Sequence, residues 1–355
     1  MEQIDVLAVV GSCAPERQRF AARLAAETSR MLIPAQRLNV SPDPVDEAVS
    51  LAPWTDRTEG AVAEFPQRTL TTELIGALVD PESGIRLSGV VCVADAGHLL
   101  EDLRCESYAF QPALPWQRGI SDRYTAHAML AVTQIEYAST IVLVNWEALS
   151  TPELSTVMAL VSHLGPHARL RLERGGDEGW ASLGGTPYTA AQERPGWVGI
   201  LNGDHDPHMT DPRVSSFRYE NVRPLHPGRF EQLLNDRVEA GEFGALIRSA
   251  GFCRLATRPR LTGRWDHVGR MVSLEPIAGD DALDEALGEA LGEENELLAF
   301  GQDLALTGLD LDRQALTAAL DEAVLDDDEL AAGPAAWRGF PDPFPAWSTI
   351  ADRAE

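Results

Sequence analysis

Short apolar runs alternate with helical patterns along the first half of the chain, and this alternation limits the possible folds more than any other feature. The strand-like runs are Val6–Val10, Gly89–Asp95 and Thr140–Val144. Each has the length and continuous apolar character of a strand buried on both faces. Apolar residues at helical spacing follow the first run to about Leu32, and helical patterns also cover Arg123–Ala138 and Pro152–Leu164. The alternation predicts an α/β domain over residues 1–174, with helices on the faces of a parallel sheet.

The second half of the chain has a different rhythm. Residues 175–212 are rich in Gly, Pro, Asp and polar residues without a sustained period, which predicts a linker. Beyond it, the strand patterns are Val214–Glu220, Leu246–Ala256, His267–Leu274 and Glu296–Phe300, and the helical patterns are Pro227–Val238 and Asp312–Leu325. This order predicts a smaller α+β domain over residues 213–348, with helices on one face of an antiparallel sheet, followed by a tail at 349–355.

The charge of the chain excludes several classes of partner. The net charge is −26, which argues against DNA binding and against adhesion to anionic lipid. No run approaches the roughly 18 apolar residues of a membrane helix, and the N-terminus lacks the basic segment of a signal peptide. The four cysteines are scattered without a C-x-x-C pair, as in proteins of a reducing compartment. We therefore expect a cytoplasmic protein.

Lysine is absent from the chain, and all 29 basic side chains are arginines. The absence excludes Schiff-base catalysis by lysine, the catalytic lysine of protein kinases and the phosphate-binding lysine of a P-loop. Arginine keeps its positive charge, but it does not titrate as a nucleophile and does not replace a compact ammonium group.

A series of motifs in the second half resembles the C-terminal domain of the CobW family, a zinc- and cobalt-handling branch of the P-loop GTPases. The motif residues include Arg223, Pro224, His226, Arg248, Gly251 and Trp265, within Arg223–Phe230, Ile247–Pro259 and Gly263–Trp265, and the series ends at Trp337 with Asp342–Trp347. The first half is similar to the family's GTPase domain in layout, most clearly at Gln134–Ala138 and Val90–Asp95. The resemblance implies a degenerate P-loop-like domain followed by a CobW-type C-terminal domain.

The family's phosphate-binding loop, G-x-x-x-x-G-K-[ST], is altered in this chain. Its eight positions read Gly11-Ser12-Cys13-Ala14-Pro15-Glu16-Arg17-Gln18. The first glycine is kept, but Glu16 places a negative charge near the phosphate position, and Arg17 and Gln18 replace the lysine and the hydroxyl that binds magnesium. The resemblance therefore makes Gly11, Arg17 and Gln18 vestigial nucleotide-binding residues.

Two other family motifs are altered as well. The guanine-reading motif N-K-x-D reads Asn145-Trp146-Glu147-Ala148, which keeps Asn145 but loses the carboxylate that discriminates the base. The stretch Glu64–Leu74, where the family binds zinc through cysteines, contains no cysteine. We therefore expect neither GTP as a cofactor nor GTP hydrolysis, and the chain reads as a non-enzyme.

Zinc remains a candidate ligand of the linker. The side chains Asp204, His205, Asp206 and His208 resemble the His-rich linker of some family members, and imidazole and carboxylate groups can hold zinc where they converge. The alternative is a solvated polar loop.

The resemblance implies two functions. Degenerate actinobacterial paralogues suggest a non-catalytic adaptor in zinc homeostasis, acting on ribosome hibernation through a ribosome-associated protein partner. The alternative is a GTP-dependent zinc metallochaperone with a divergent nucleotide site. The arginines of 254–260, with Arg264 and Arg270, suggest either weak RNA contact or pairing with the domain's own carboxylates. The acidic run Asp326–Glu329 predicts a solvated turn, and the aromatic residues Trp337, Phe340, Phe344 and Trp347 predict a staple that pins the tail to the sheet.

Overall fold

The computed structural model describes residues 3–54, 59–111, 123–175, 188–189, 194–259, 261–279 and 301–347. The chain forms two compact units, Met1–Gly196 with Asp206–Asp211 and Trp197–His205 with Pro212–Glu355. No helix in the described ranges is long and apolar enough to cross a bilayer.

The first unit is built on a six-stranded parallel sheet. Its strands are β1 (Ile4–Val10), β2 (Met31–Ile33), β3 (Ala61–Glu64), β4 (Ile85–Asp95), β7 (Thr140–Val144) and β8 (Arg169–Leu172), in the order β2-β3-β1-β4-β7-β8. Strands β5 (Tyr108–Gln111) and β6 (Arg123–Ala126) form a separate antiparallel pair. The helices are α1 (Ala14–Glu27), α2 (Ala35–Leu38), α3 (Pro44–Leu51), α4 (Thr71–Leu78), α5 (Leu99–Asp102), α6 (His127–Glu136) and α7 (Thr151–Leu164).

Burial explains why these strands are continuous apolar runs. Residues Val6 to Val10 of β1 are all at most 3% exposed, because strands lie on both sides of β1 and helices cover the sheet. Helix α1 begins after Cys13 with Pro15 in its first turn, where a missing N–H is harmless. Its Phe20 and Leu24, four residues apart, pack against apolar side chains of β1, β3, β4 and β7.

The second unit contains a five-stranded antiparallel sheet. Its strands are β9 (Val214–Asn221), β10 (Ala245–Cys253), β11 (Leu261–Val268), β12 (Met271–Gly279) and β13 (Gln302–Leu309), in the order β12-β11-β10-β13-β9. Its helices are α8 (Gly196–Asn202), which begins at the last residue of the first unit, α9 (Pro227–Gln232) with a π turn at Leu233–Val238, α10 (Arg313–Ala323) and α11 (Asp327–Trp337). The core joins the aromatic pair Phe230 and Trp265 to the inner side chains of β9 and β13 and to α10.

The predicted fold class is confirmed: a parallel α/β sheet is followed by a smaller α+β unit. Several predicted elements differ from those of the structure. The predicted helix Arg123–Ala138 begins only at His127, because Arg123–Ala126 form strand β6. Helix α1 ends at Glu27, and the residues to Leu32 include the short strand β2. The pattern His267–Leu274 belongs to two strands, because Gly269 adopts a left-handed turn conformation (φ 59°) between them. Helix α8 lies inside the segment predicted as irregular, and the predicted strand Glu296–Phe300 lies outside the described residues.

The end of the chain shows one correction and one confirmation. The acidic run after α10 is not a solvated turn, because Asp326 caps α11 and accepts a hydrogen bond from the Glu329 N–H (2.8 Å). The aromatic staple is confirmed. Trp337 is buried, Phe344 lies 5.9 Å from the Phe230 ring, and the Trp347 Nε1–H donates to the Leu274 carbonyl (2.9 Å).

Candidate functional site

The carboxyl edge of the parallel sheet is the candidate site of the first unit. There Gly11 follows β1, Glu64 ends β3, Asp95 ends β4 and Asn145 follows β7. Strands β1 and β4 are neighbours. The strands that follow β1 in the chain lie towards one edge of the sheet, and those that follow β4 lie towards the other edge, so the strand order reverses between β1 and β4. In open α/β sheets, ligands bind in the crevice that such a reversal creates.

Arg17, which the resemblance assigned to the position of a P-loop lysine, is buried beneath this edge. It is 3% exposed, its Nε donates to Glu64 Oε1 (3.2 Å), and its Nη1 donates to the Gly11 carbonyl (2.5 Å). Glu64 is 2% exposed, and its second oxygen accepts a hydrogen bond from the Ala35 N–H (3.1 Å). The charge of Arg17 is therefore neutralised inside the protein by a carboxylate that is itself held in place.

Sheet packing explains the retained glycine of the loop. Gly11 has φ 152°, and a Cβ there would lie 2.2 Å from the Val93 carbonyl of the neighbouring strand β4. An L side chain therefore does not fit at this position, whatever the loop binds. Gln18, at the position of the magnesium-binding hydroxyl, is exposed on α1.

The ends of β4 and β7 are joined by a polar network. The Asn145 Nδ2 donates to Asp95 Oδ2 (2.6 Å), while Asp95 Oδ1 accepts from the Gly97 N–H (2.9 Å). In the loop after β1, the Ser12 hydroxyl donates to Asp102. The structure thus brings Asn145 to the same edge as Gly11 and directs its amide to a carboxylate of the protein.

The electrostatic character of this edge is acidic. Burial, followed by the charges of Asp102, Asp95 and Glu16, raises the pKa of the Cys13 thiol to about 11. Burial also raises the pKa of Asp102. The same carboxylates would repel a phosphate brought to the loop after β1, because like charges at close range disfavour each other. The arrangement can hold the sheet edge together, but it offers a triphosphate little positive charge.

Sequence reasoning missed Glu64 as a site residue. The available signal was the short apolar run Ala61-Val62-Ala63 between Gly60 and Pro66, which the structure shows to be β3. A buried strand at that place would have put the following carboxylate at the carboxyl edge of the sheet, next to the loop after β1.

The predicted zinc ligands of the linker are divided between the two units. Asp204 and His205 belong to the second unit, whereas Asp206 and His208 belong to the first. Across the part of the chain that the structure describes, no group of three or more His, Cys, Asp or Glu side chains is arranged to hold a metal ion. The zinc assignment therefore stays a prediction from the sequence.

The motif residues before α9 tie the two ends of the second unit together. Arg223 donates through Nη1 to the Leu325 carbonyl (3.1 Å) and through Nη2 to Asp327 (2.5 Å). The Pro224 carbonyl accepts from the Leu325 N–H (2.9 Å). His226 caps α9, and its ring lies 4.6 Å from that of Phe340. These residues have a structural role.

The motif residues of the sheet are buried in the core. Trp265 is 1% exposed, and its Nε1 donates to Ser249 Oγ (2.7 Å). It pairs across the ladder with Gly251, where a Cβ would lie 2.2 Å from a backbone carbonyl of β13. Arg248 is 2% exposed and donates to Asp266 and to the His267 carbonyl (3.3 Å). Burial, followed by the nearby Arg248 charge, lowers the pKa of His267 to about 4.

The arginines near residue 254 pair within their own unit. Arg258 contacts Asp342 at 2.9 and 3.1 Å, Arg264 contacts Asp266 at 3.3 Å, and Arg270 contacts Glu239. Arg254 is buried, and residue 260 lies outside the described residues. The structure therefore favours the pairing interpretation, and RNA contact stays a prediction.

We expect the second unit to lose stability in acid through Glu329. Bidentate hydrogen bonds from Arg229 (2.8 and 2.6 Å) lower the pKa of Glu329 from 4.5 to about 2. Because the folded pKa is below the unfolded one, the ionised carboxylate stabilises the fold above pH 4.5, and this contribution is lost as the pH falls towards 2. The Glu329→Gln variant should have a lower Tm at neutral pH and a smaller loss of Tm on acidification.

The matched control is Asp328→Asn, which removes a neighbouring exposed carboxylate from the same helical turn. It should keep the acid dependence of the unaltered protein. An identical pH dependence in all three proteins would contradict the role assigned to Glu329.

Part of the second unit matches a known protein family. Residues 214–324 match the family described as "Cobalamin synthesis protein cobW C-terminal domain". The chain is 25% identical over 295 residues to "Zinc-regulated GTPase metalloprotein activator 1" of Dictyostelium discoideum, in an alignment that covers 78% of this chain and 60% of that protein. The chain thus spans less than two thirds of the relative's length.

Two solved structures are similar over most of the chain. One is the Zn(II)-bound YjiA GTPase from E. coli, with 12% identity and a TM-score of 0.37, and the match covers 92% of this chain and 100% of that one. The other is a Zn(II)-bound triple mutant of YjiA, with 13% identity, a TM-score of 0.38 and the same coverage. The match at 214–324 confirms the predicted resemblance of the second unit to the CobW C-terminal domain.

Proposed function

We propose that this chain, which carries a CobW C-terminal domain, is a zinc-homeostasis protein whose GTPase-like unit acts as a non-catalytic adaptor. The observation that carries the proposal is the buried pair of Arg17 and Glu64. The cation at the position of the phosphate-binding lysine is 3% exposed and is bound to a carboxylate that is 2% exposed. A triphosphate would have to displace Glu64 from Arg17 and leave a buried carboxylate unpaired, which is strongly unfavourable.

The polar network at the sheet edge supports the same proposal. Asn145 donates a hydrogen bond to Asp95, and Ser12 donates one to Asp102, so both carboxylates already have a partner within the protein. The unit has the layout of a nucleotide-binding sheet, but the polar side chains at its carboxyl edge form hydrogen bonds with one another. We propose that its surface serves recognition of a protein partner, and that the net charge of −26 favours partners with basic surfaces, such as a ribosome-associated protein.

Nucleotide titration tests this proposal. Isothermal titration with GTP, GDP and ATP, each with magnesium, should show no saturable heat for the full chain. The expected reason is that Arg17 is neutralised and the surrounding carboxylates oppose phosphate. Saturable binding of any of the three nucleotides with a micromolar dissociation constant would overturn the proposal.

A GTP-dependent zinc metallochaperone is the second candidate, favoured by the name of the Dictyostelium relative. It predicts micromolar GTP binding that is lost in Arg17→Ala and kept in Arg19→Ala, which alters an exposed arginine of the same helix. Asn145→Gly is a second variant, because glycine keeps the left-handed backbone of residue 145 (φ 55°) while removing the amide. Far-UV circular dichroism of each variant separates lost binding from lost folding.

The adaptor role is tested by affinity purification from zinc-starved and zinc-replete cells. We expect a protein partner, enriched in the starved sample, whose recovery does not change when GTP or GDP is added to the lysate. Recovery that depends on added GTP would favour the metallochaperone, and the same set of partners in both conditions would remove the link to zinc limitation.

A further inference from the structure

Strand β9 forms an outer edge of the antiparallel sheet in the second unit. It pairs with β13 on one side over its whole length, from Val214 to Asn221. On its other side, no strand of the described residues pairs with it. A strand edge of this length presents a row of backbone N–H and C=O groups that can pair with another strand.

The register shows which backbone groups point outward. The Arg213 carbonyl accepts a hydrogen bond from the Asp310 N–H (2.6 Å), so the residues that alternate with Arg213 bond to β13. Arg218 and Glu220 lie in the intervening pairs, opposite Ala305 and Asp303. Their N–H and C=O groups therefore point away from β13, towards the open edge.

A groove of about 630 Å³ runs beside this edge, between β9 and α10. Charged residues line this groove in two layers: the strand layer consists of residues on β9, and the helix layer consists of residues on α10. In the strand layer, Arg218 precedes Glu220. In the helix layer, Arg313 lies over the Phe217 ring (5.1 Å), whereas Asp321 accepts hydrogen bonds from the Tyr219 hydroxyl (3.0 Å) and the Asn221 amide (2.9 Å). Both layers therefore run from positive to negative along β9.

We propose that this edge binds the same edge of a second copy of the chain in an antiparallel pair, with Arg218 opposite Glu220 of the second copy. Antiparallel pairing reverses the order of the charges, so each layer meets its complement. In this register, Tyr219 lies opposite Tyr219 of the second copy, and the two-fold axis passes between these two residues. The pairing goes beyond the proposed adaptor function and does not depend on it.

The chemistry of this pairing is available in the structure. Arg218 uses Nε and Nη2 to bind Asp303 (2.6 and 2.9 Å), which leaves Nη1 for the second copy. Within one copy, Arg218 Nη2 also lies 3.6 Å from Glu220 Oε1, and the two side chains are 36% and 45% exposed, so both remain accessible to a second copy. Each Arg218–Glu220 pair between the copies would exchange two backbone hydrogen bonds, as in any antiparallel ladder. In the helix layer, Arg313 would approach Asp321 of the second copy.

Sedimentation velocity over a concentration series tests the proposal. The unaltered chain should form a dimer. In Glu220→Arg, arginine faces arginine, and in Arg218→Glu, glutamate faces glutamate, so either change should raise the dimer dissociation constant at least about tenfold, because like charges directly opposite are destabilising. An equal mixture of the two variants should form a heterodimer, since each then meets its complement. The control Glu275→Arg alters an exposed residue of β12, at the other edge of the sheet, and should leave the dimer unchanged.

Circular dichroism of each variant establishes that it is folded. Arg218→Glu also loses the pair with Asp303, so if that variant is unfolded, Glu220→Arg alone decides the result. A monomer at every concentration of the unaltered chain overturns the proposal. It is equally overturned if Glu220→Arg dimerises like the unaltered chain, or if two folded variants fail to form the mixed dimer.

Discussion

Replacing Arg17 by alanine is expected to lower the free energy of unfolding of the first unit by about 3–5 kcal/mol, because it leaves the buried carboxylate of Glu64 without its partner. Glu64 would keep one hydrogen bond, from the Ala35 N–H, in surroundings where it is 2% exposed. The Gly11 carbonyl would lose the donor that now lies 2.5 Å away. The measurement is urea denaturation of the full chain, followed by circular dichroism and by a probe within the first unit.

A double variant separates the lost pair from the lost side-chain volume. Arg17→Met with Glu64→Gln removes both charges, fills the space of the Arg17 stem and keeps an oxygen for the Ala35 N–H. It should regain most of the lost stability, because a buried pair replaced as a whole costs far less than one that is broken. The control Arg19→Ala alters an exposed residue of α1 and should change the free energy by no more than about 0.5 kcal/mol. A double variant as unstable as Arg17→Ala would show that the charge pair is not the cause.

Replacing Trp265 by alanine is expected to lower the free energy of unfolding of the second unit by about 3–5 kcal/mol, the cost of removing a large aromatic side chain from a packed core. Trp265 is 1% exposed and lies 5.0 Å from the Phe230 ring. The change would open a cavity between β11 and α9 and would also remove the donor to the Ser249 hydroxyl. Urea denaturation with near-UV circular dichroism measures the loss.

Two further variants give this prediction its controls. Trp265→Phe keeps an aromatic ring in the core but removes the hydrogen bond to Ser249, so its loss should be intermediate. Trp54→Ala removes a tryptophan that is 77% exposed, in the first unit, and should change stability by no more than about 0.5 kcal/mol. Equal effects of Trp265→Ala and Trp54→Ala would contradict the central place of Trp265 in the core.

The parts of the fold that the sequence predicted well are those set by burial on both faces. The strands at Val6–Val10 and Thr140–Val144 stand out because a parallel sheet covered by helices leaves no polar alternation. The hairpin of β11 and β12 was read as one strand, because Gly269 and Arg270 interrupt the pattern for only two residues. Pairing order and register were beyond prediction, since they depend on contacts between residues distant in the chain.

The candidate site was also predicted only in part. The resemblance to the GTPase motifs assigned Gly11, Arg17 and Asn145 to one site, and the structure puts Gly11 and Asn145 at one sheet edge with Arg17 just below it. The resemblance contained no information about Glu64, which reaches Arg17 through the pairing of β1 with β3. Arg17 was therefore assigned as a vestigial phosphate ligand, whereas the structure shows it bound to a carboxylate of the protein.

The pair of Arg17 and Glu64 also makes the two positions depend on each other. A lysine at position 17 would offer a compact ammonium in place of the guanidinium that bonds both Glu64 and the Gly11 carbonyl, and a replacement of Glu64 alone would leave a buried guanidinium unpaired. We therefore expect either replacement alone to give a less stable protein, and a change of both residues together to be better tolerated.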